Sequence, residues 1–183
     1  NEVNNINKKD EVFLWRFMNC WGWATWKDRW INYEKKPKKL INLFDKKMIF
    51  RFNLDGAGIF WDQVIQNANG EKNTWAIFWY ATIFINNGLC VSPWFSYVRN
   101  IGFDGSGTNC GSRKAKNKDL IINKFGKFKG VDKLTENQKA FKIMKSAYRS
   151  IFKTFLIKKI IKKFLGNYIY GTIKNFIKKR NFF

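Results

Sequence analysis

Apolar positions in the first half of the chain come in short runs, broken by charge or glycine, and the period changes from run to run. Residues 12–19, VFLWRFMN, have the aromatic and branched density of a short buried strand and predict β-structure. Cys20 to Gly22 turns the chain, and Trp23, Trp26 and Trp30 then fall at i, i+3 and i+7. That spacing predicts a helix whose indole stripe packs on a core. Trp21 precedes the stripe beside a glycine, so its ring is a loop ring, suited to stacking on a sugar or acting as a lid. KKPKK, 35–39, reads as a solvated turn around Pro37, followed by apolar periodicity from Leu40 that FNLDGAG, 52–58, interrupts. A helix is predicted over 59–68, stopped by Asn69-Gly70, and another over 75–85, capped by Asn73 or Thr74 and ended by Asn86-Asn87-Gly88. The second is apolar on every side and belongs at the centre of a lobe. Short strands at 89–92 and 96–102 flank Pro93, and a glycine-bearing loop, FDGSGTNCGS, follows at 103–112. Helices interleaved with short strands make the expected fold class α/β.

The pattern changes at Arg113. A basic Lys/Gly-rich linker occupies 113–135, and helical periodicity resumes near Glu136 with Phe141, Met144, Tyr148, Ile151, Phe152 and Phe155 on one side. From Leu156 the apolar residues move to the opposite side, so a break is expected near 155–157, with a third amphipathic piece after Gly166. The expected organisation is a lobe over 1–112, a linker over 113–135 and a basic, mainly α-helical tail over 136–183.

Charge sharpens this division. The formal charge is +22. Residues 1–112 hold 14 Lys or Arg against 10 acids, whereas residues 113–183 hold 21 against 3. The excess therefore lies in the tail, where hinged amphipathic pieces suit an anionic membrane surface or pack on protein. The chain has no histidine, which excludes imidazole catalysis and histidine-held metals and leaves proton transfer to carboxylates. Cys20, Cys90 and Cys110 form neither an even set nor a close pair, so a reducing compartment is expected and no disulfide framework or zinc site. The apolar run 75–85 falls well short of the ~20 residues of a membrane-spanning helix.

CWGWATWKDRW, NTWAIFWYATIFINNGLCVSP and NIGFDGSGTNCG, in this order, resemble the acceptor-side, C-terminal half of bacterial family 2 glycosyltransferases of the GT-A fold, over about residues 12–111. The resemblance implies sugar transfer from a nucleotide-sugar donor to a glycan or lipid-linked acceptor in surface polysaccharide synthesis. It places Trp21, Gly22 and Trp23 beside the acceptor and the donor sugar, and Asn73, Trp75 and Asp104 around the substrates. The family's nucleotide pocket and its Asp-x-Asp motif for Mn or Mg lie in a preceding half that is not visible here. The divalent metal is thus expected in a full-length enzyme only, and the 183 residues alone are expected to bind none and to transfer no sugar. An inverting transfer needs a carboxylate to deprotonate the acceptor hydroxyl. The family carries Asp where this chain has Asn73, and an amide cannot act as a base, which leaves Asp55 and Asp62 as candidate catalytic residues.

Each candidate also has a plainer role. Asp55 in LDGAG can organise a turn, Asp62 can be a surface helix residue, and Asp104 can bond its own loop. The implied location is the cytoplasmic, inner face of the cell membrane, with 136–183 against anionic lipid. The competing expectations are a non-enzymatic, basic nucleic-acid-binding protein or a membrane-active protein. The first is weakened because tryptophans and excess charge lie in different halves, so no specific nucleic-acid partner is expected.

Overall fold

The computed structural model describes residues 12–98, 130–131, 133–153 and 156–157. Two strands, β1 (Val12–Trp15) and β2 (Cys90–Pro93), pair antiparallel with Trp15 opposite Cys90 and Val12 opposite Pro93. Between them run α1 (Lys27–Trp30), α2 (Pro37–Leu43), α3 (Lys46–Phe52), α4 (Phe60–Ala68) and α5 (Ala76–Ile85). Residues 138–153 form a further helix. Helices around a small sheet make this a mixed α/β arrangement, as the pattern of runs predicts.

The axis of the lobe is α5. Seven of its residues, including Ile77, Phe78, Trp79 and Tyr80, are buried, as expected of a segment with no polar face. Phe52 at the end of α3 stacks on Tyr80 with ring centres 4.4 Å apart and meets Phe44, Trp61 and Phe84 edge-on. The Tyr80 hydroxyl donates to the Phe52 carbonyl at 2.9 Å, so the buried phenol has its partner. Asp45 caps α3, its Oδ1 accepting from the Met48 N–H at 2.7 Å. After α3, Leu54, Asp55 and Gly56 all take positive φ, at 53°, 51° and 76°. Two non-glycine residues in that region are strained. They are held there because Leu54 is fully buried and Asp55 bridges Arg16 and Lys145 at 3.3 and 3.4 Å.

Several boundaries differ from the sequence expectations. Residues 23–30 do not form one helix: Trp26 is extended and stands at the N-cap, and only Lys27–Trp30 turn. Trp26 is 73% exposed and leaves the stripe, whereas Trp23 packs against the core and Trp30 meets the buried Trp79. Pro37 opens a helix instead of marking a turn, because its fixed φ and missing N–H suit the first helical position. The strand expected over 12–19 ends at Trp15, where Arg16 turns its backbone N–H to the Glu136 carboxylate at 3.1 Å. The strand expected at 89–92 is shifted by one residue, and 96–98 are not in a strand. The loop 103–112, the linker up to 129, the break expected near Phe155 and the piece after Gly166 lie outside the described residues.

The beginning of the expected tail is built into this lobe. Asn137 donates its N–H to the Leu14 carbonyl at 2.8 Å, and its side chain caps the helix through the Ala140 N–H at 2.9 Å. Ala140 and Phe141 are buried, and the Tyr148 ring lies 5.4 Å from Phe17 and 5.3 Å from Phe60. The apolar face of Phe141, Met144 and Tyr148 therefore packs on the lobe. Among the described residues no helix is long and apolar enough to cross a membrane.

Candidate functional site

The sheet, the end of α5 and the loop between β1 and α1 enclose an open cleft of about 1060 Å³. Its floor comes from β1 and β2, which pair because Phe13, Leu14 and Trp15 are buried and the Trp15 indole N–H donates to the Ser92 hydroxyl at 3.0 Å. One wall is aromatic. Trp23 lies 5.6 Å from Trp30, 5.2 Å from Trp75 and 6.2 Å from Trp79, and Trp30 stacks flat on Tyr33 at 4.6 Å. This pile of rings holds Trp23 rigidly although its own segment has no regular structure.

Trp21 stands at the mouth, 51% exposed, with its N–H donated to Asn19 Oδ1 at 3.2 Å. Gly22 follows with φ +61°, and a Cβ built there would meet Val98 Cγ1 at 2.5 Å. Glycine is thus required twice over, by the backbone region and by the approach of Val98. The loop between β1 and α1 is bent around that contact.

Trp21, Gly22 and Trp23 line the cleft. Of the other proposed site residues, the described ones do not join them. Trp75 does not line the cleft, and its ring lies 5.2 Å from that of Trp23, which does. Asn73 lies away from it and accepts a hydrogen bond from Lys35 Nζ. Asp62 is an exposed residue in the first turn of α4. Asp55 is held by Arg16 and Lys145 and does not line the cleft. Asp104 lies outside the described residues. Among the described residues lining the cleft there is no carboxylate, and Arg29 is the one charged side chain. The divalent metal implied by the resemblance has no ligand set among the described residues, which bring no three Cys, Asp or Glu together.

Burial pushes the Cys90 thiol, which also borders the cleft, up to about 11, so it is not a thiolate nucleophile at neutral pH. The arrangement can bind a partly apolar, ring-bearing ligand through indole faces. Polar reach comes from Asn32, Asn86, Asn87 and Ser92. Sequence reasoning missed Trp79 and Arg29 as parts of this wall. Trp79 is hidden in a run that is apolar on all sides, whereas Arg29 could have been found at i+3 from Trp26, across one helical turn.

No protein-family model, no characterised protein and no solved structure matches this chain.

Proposed function

We propose that this chain is the acceptor-binding side of a family 2 glycosyltransferase, in which the indole-walled cleft receives the sugar acceptor. The single observation that carries this reading is the juxtaposition of the exposed Trp21 ring and the ring-locked Trp23 across Gly22 at an open cleft free of carboxylates among its described residues. Sugar C–H faces stack on indoles, and amide and hydroxyl side chains at the rim suit hydroxyl groups. The cleft supplies binding and orientation and no general base. Asp55 is committed to two cations and Asp62 faces solvent, so within the described residues catalysis is assigned to neither. The same reading puts the protein on the cytoplasmic face of the membrane, with the basic segment 136–183 against anionic lipid.

Titration of the intrinsic tryptophan fluorescence with bacterial surface oligosaccharides tests the reading. A saturable change is expected, weakened roughly three- to tenfold by Trp21→Ala, the worth of one aromatic contact. Asp62→Asn should leave it unchanged. Absence of a saturable response to any glycan, or one indifferent to Trp21→Ala, sinks the reading.

A further inference from the structure

In a chain of which 26% is charged, Arg29 is the single charged side chain among the described residues that line the cleft, and no carboxylate stands with it there. Its place follows from a tight turn: the Arg29 and Trp30 backbone N–H groups both donate to the Trp26 carbonyl at 3.0 Å. Trp30, next in the chain, sets its ring 5.6 Å from that of Trp23, which lines the cleft. Asn32 braces the same turn, its side-chain amide donating to the Asp28 and Arg29 carbonyls at 3.2 and 3.4 Å. The cation therefore hangs from the turn that builds the indole wall.

The guanidinium is only partly engaged. Its Nε lies 3.5 Å from a carboxylate oxygen of Asp28, which is not a lining residue, and the two side chains are 72% and 71% exposed. An ion pair at that distance and exposure holds weakly. Among the described residues, no hydrogen bond or ion pair engages either terminal nitrogen. That fork of N–H groups is the part of an arginine that grips a carboxylate or a phosphate through two parallel bonds.

We propose that the cleft selects glycans carrying an anionic substituent, a uronate carboxylate or a sugar phosphate, with Arg29 as the specificity-determining contact and Trp21 and Trp23 stacking on the sugar rings. This rests on the acceptor-binding reading and names the class of acceptor. Single-stranded RNA is the poorer fit. It brings a charge with every nucleotide and is tracked by grooves that are cationic along their length, whereas the described lining here holds a single arginine.

The test uses the full chain and calorimetric titration with three forms of one oligosaccharide backbone: bearing glucuronate, with each carboxyl reduced to the primary alcohol, and the reduced form phosphorylated. An anionic form should bind about fivefold more tightly than the reduced one at low salt, the worth of one exposed charge pair, and the difference should shrink as salt rises. Whichever of carboxylate and phosphate binds more tightly identifies the source of the anion. Arg29→Gln should abolish the preference and leave the reduced form bound as before, and Arg29→Lys should retain part of it. Asp28→Asn, which removes the competing acid, should widen it. Lys46→Gln with Lys47→Gln takes two charges from α3, which contributes no lining residue, and should change nothing. Equal binding of all three forms overturns the proposal, as does a preference that survives Arg29→Gln or that falls equally in the α3 variant, which would make it an effect of net charge. Oligouridylate that binds more tightly than any of the glycans and is lost in Arg29→Gln overturns it in favour of RNA. The two readings fail separately: equal, Trp21-dependent binding of all three forms sinks this inference and leaves the acceptor site standing, whereas no saturable binding of any form sinks both.

Discussion

Arg16 and Glu136, 120 positions apart in sequence, meet in a two-pronged ion pair, the guanidinium donating at 2.9 and 2.5 Å to the two carboxylate oxygens. The Arg16 backbone N–H adds a further bond to the same carboxylate at 3.1 Å, and the guanidinium also lies 4.4 Å over the Phe141 ring. The pair is 19% and 12% exposed, so water screens it only in part. It ties the end of β1 to the start of the helix over 138–153, and through Asp55 to the left-handed turn after α3.

Glu136→Gln should lower unfolding stability by about 1–3 kcal/mol, the range for a hydrogen-bonded charge. Burial pushes the Glu136 carboxyl up, but bonding to Arg16 outweighs it, and the group sits below its ordinary value. Its contribution is therefore complete above the ordinary carboxyl value of 4.5 and is lost as pH falls through the lower folded value. Urea titrations across the acid range should show the gap between the two proteins closing as pH falls from about 4.5. A gap independent of pH would contradict the pairing.

Phe52→Ala should be among the most damaging single changes, costing about 3–5 kcal/mol, because the ring is fully buried among four others. Tyr80→Phe removes only the hydroxyl that bonds the Phe52 carbonyl and should cost about 1 kcal/mol. Chemical denaturation of both variants gives the ordering directly.

Gly22→Ala should cost about 1–2 kcal/mol from its positive φ alone. Contact with Val98 adds to this. Pairing it with Val98→Ala should recover the contact part and leave the backbone part. Full recovery in the double variant would mean that φ at Gly22 is not constrained. Thermal melts of the three variants make the comparison.

The aromatic core and its central helix were legible because composition alone decides them: residues 75–85 have no polar face to expose. The stop at Asn69-Gly70 was equally plain, and α4 ends one residue before it. The indole stripe was misleading for a physical reason. Trp23, Trp26 and Trp30 share a helical phase only if the backbone is helical throughout; instead the Trp23 and Trp30 rings find partners on Trp75, Trp79 and Tyr33, contacts that no local period encodes, and Trp26 is 73% exposed. In the same way Phe141, Met144 and Tyr148 were recognisable as one apolar face, but an amphipathic pattern does not say whether its partner is lipid or Phe17 and Phe60. Of the expected site, Trp21, Gly22 and Trp23 come together; the spatial separation of Asp55 and Asp62 from them depends on long-range packing that was out of reach.

Trp30→Ala should disturb the near-ultraviolet circular dichroism strongly, since Trp30 contacts Trp23, Tyr33, Trp75 and Trp79 together. Trp21→Ala should disturb that spectrum less, because Trp21 is 51% exposed at the cleft mouth whereas Trp30 is ringed by four aromatic partners. Equal spectral changes would show that Trp21 is held as tightly as Trp30 and is not the more exposed ring of the cleft mouth.

Cys90 should react with a thiol reagent far more slowly than Cys20 at neutral to mildly basic pH, because burial holds its thiol up near 11. Reactivity should rise as pH approaches that value, or at once on unfolding. Mass spectrometry of timed labelling distinguishes the sites, and equal rates would mean that the strand pair opens readily.

The seal that Tyr148 places over Phe17 and Phe60 also sets a schedule for biosynthesis. Glu136 is made 120 residues after its partner Arg16, which at about 5–20 residues per second is a delay of roughly 6–24 seconds. Throughout that interval the nascent lobe carries an uncovered aromatic edge and an arginine lacking its main counter-ion. The late helix arrives last and closes that edge, so the lobe cannot complete its core before the chain beyond residue 136 has left the ribosome.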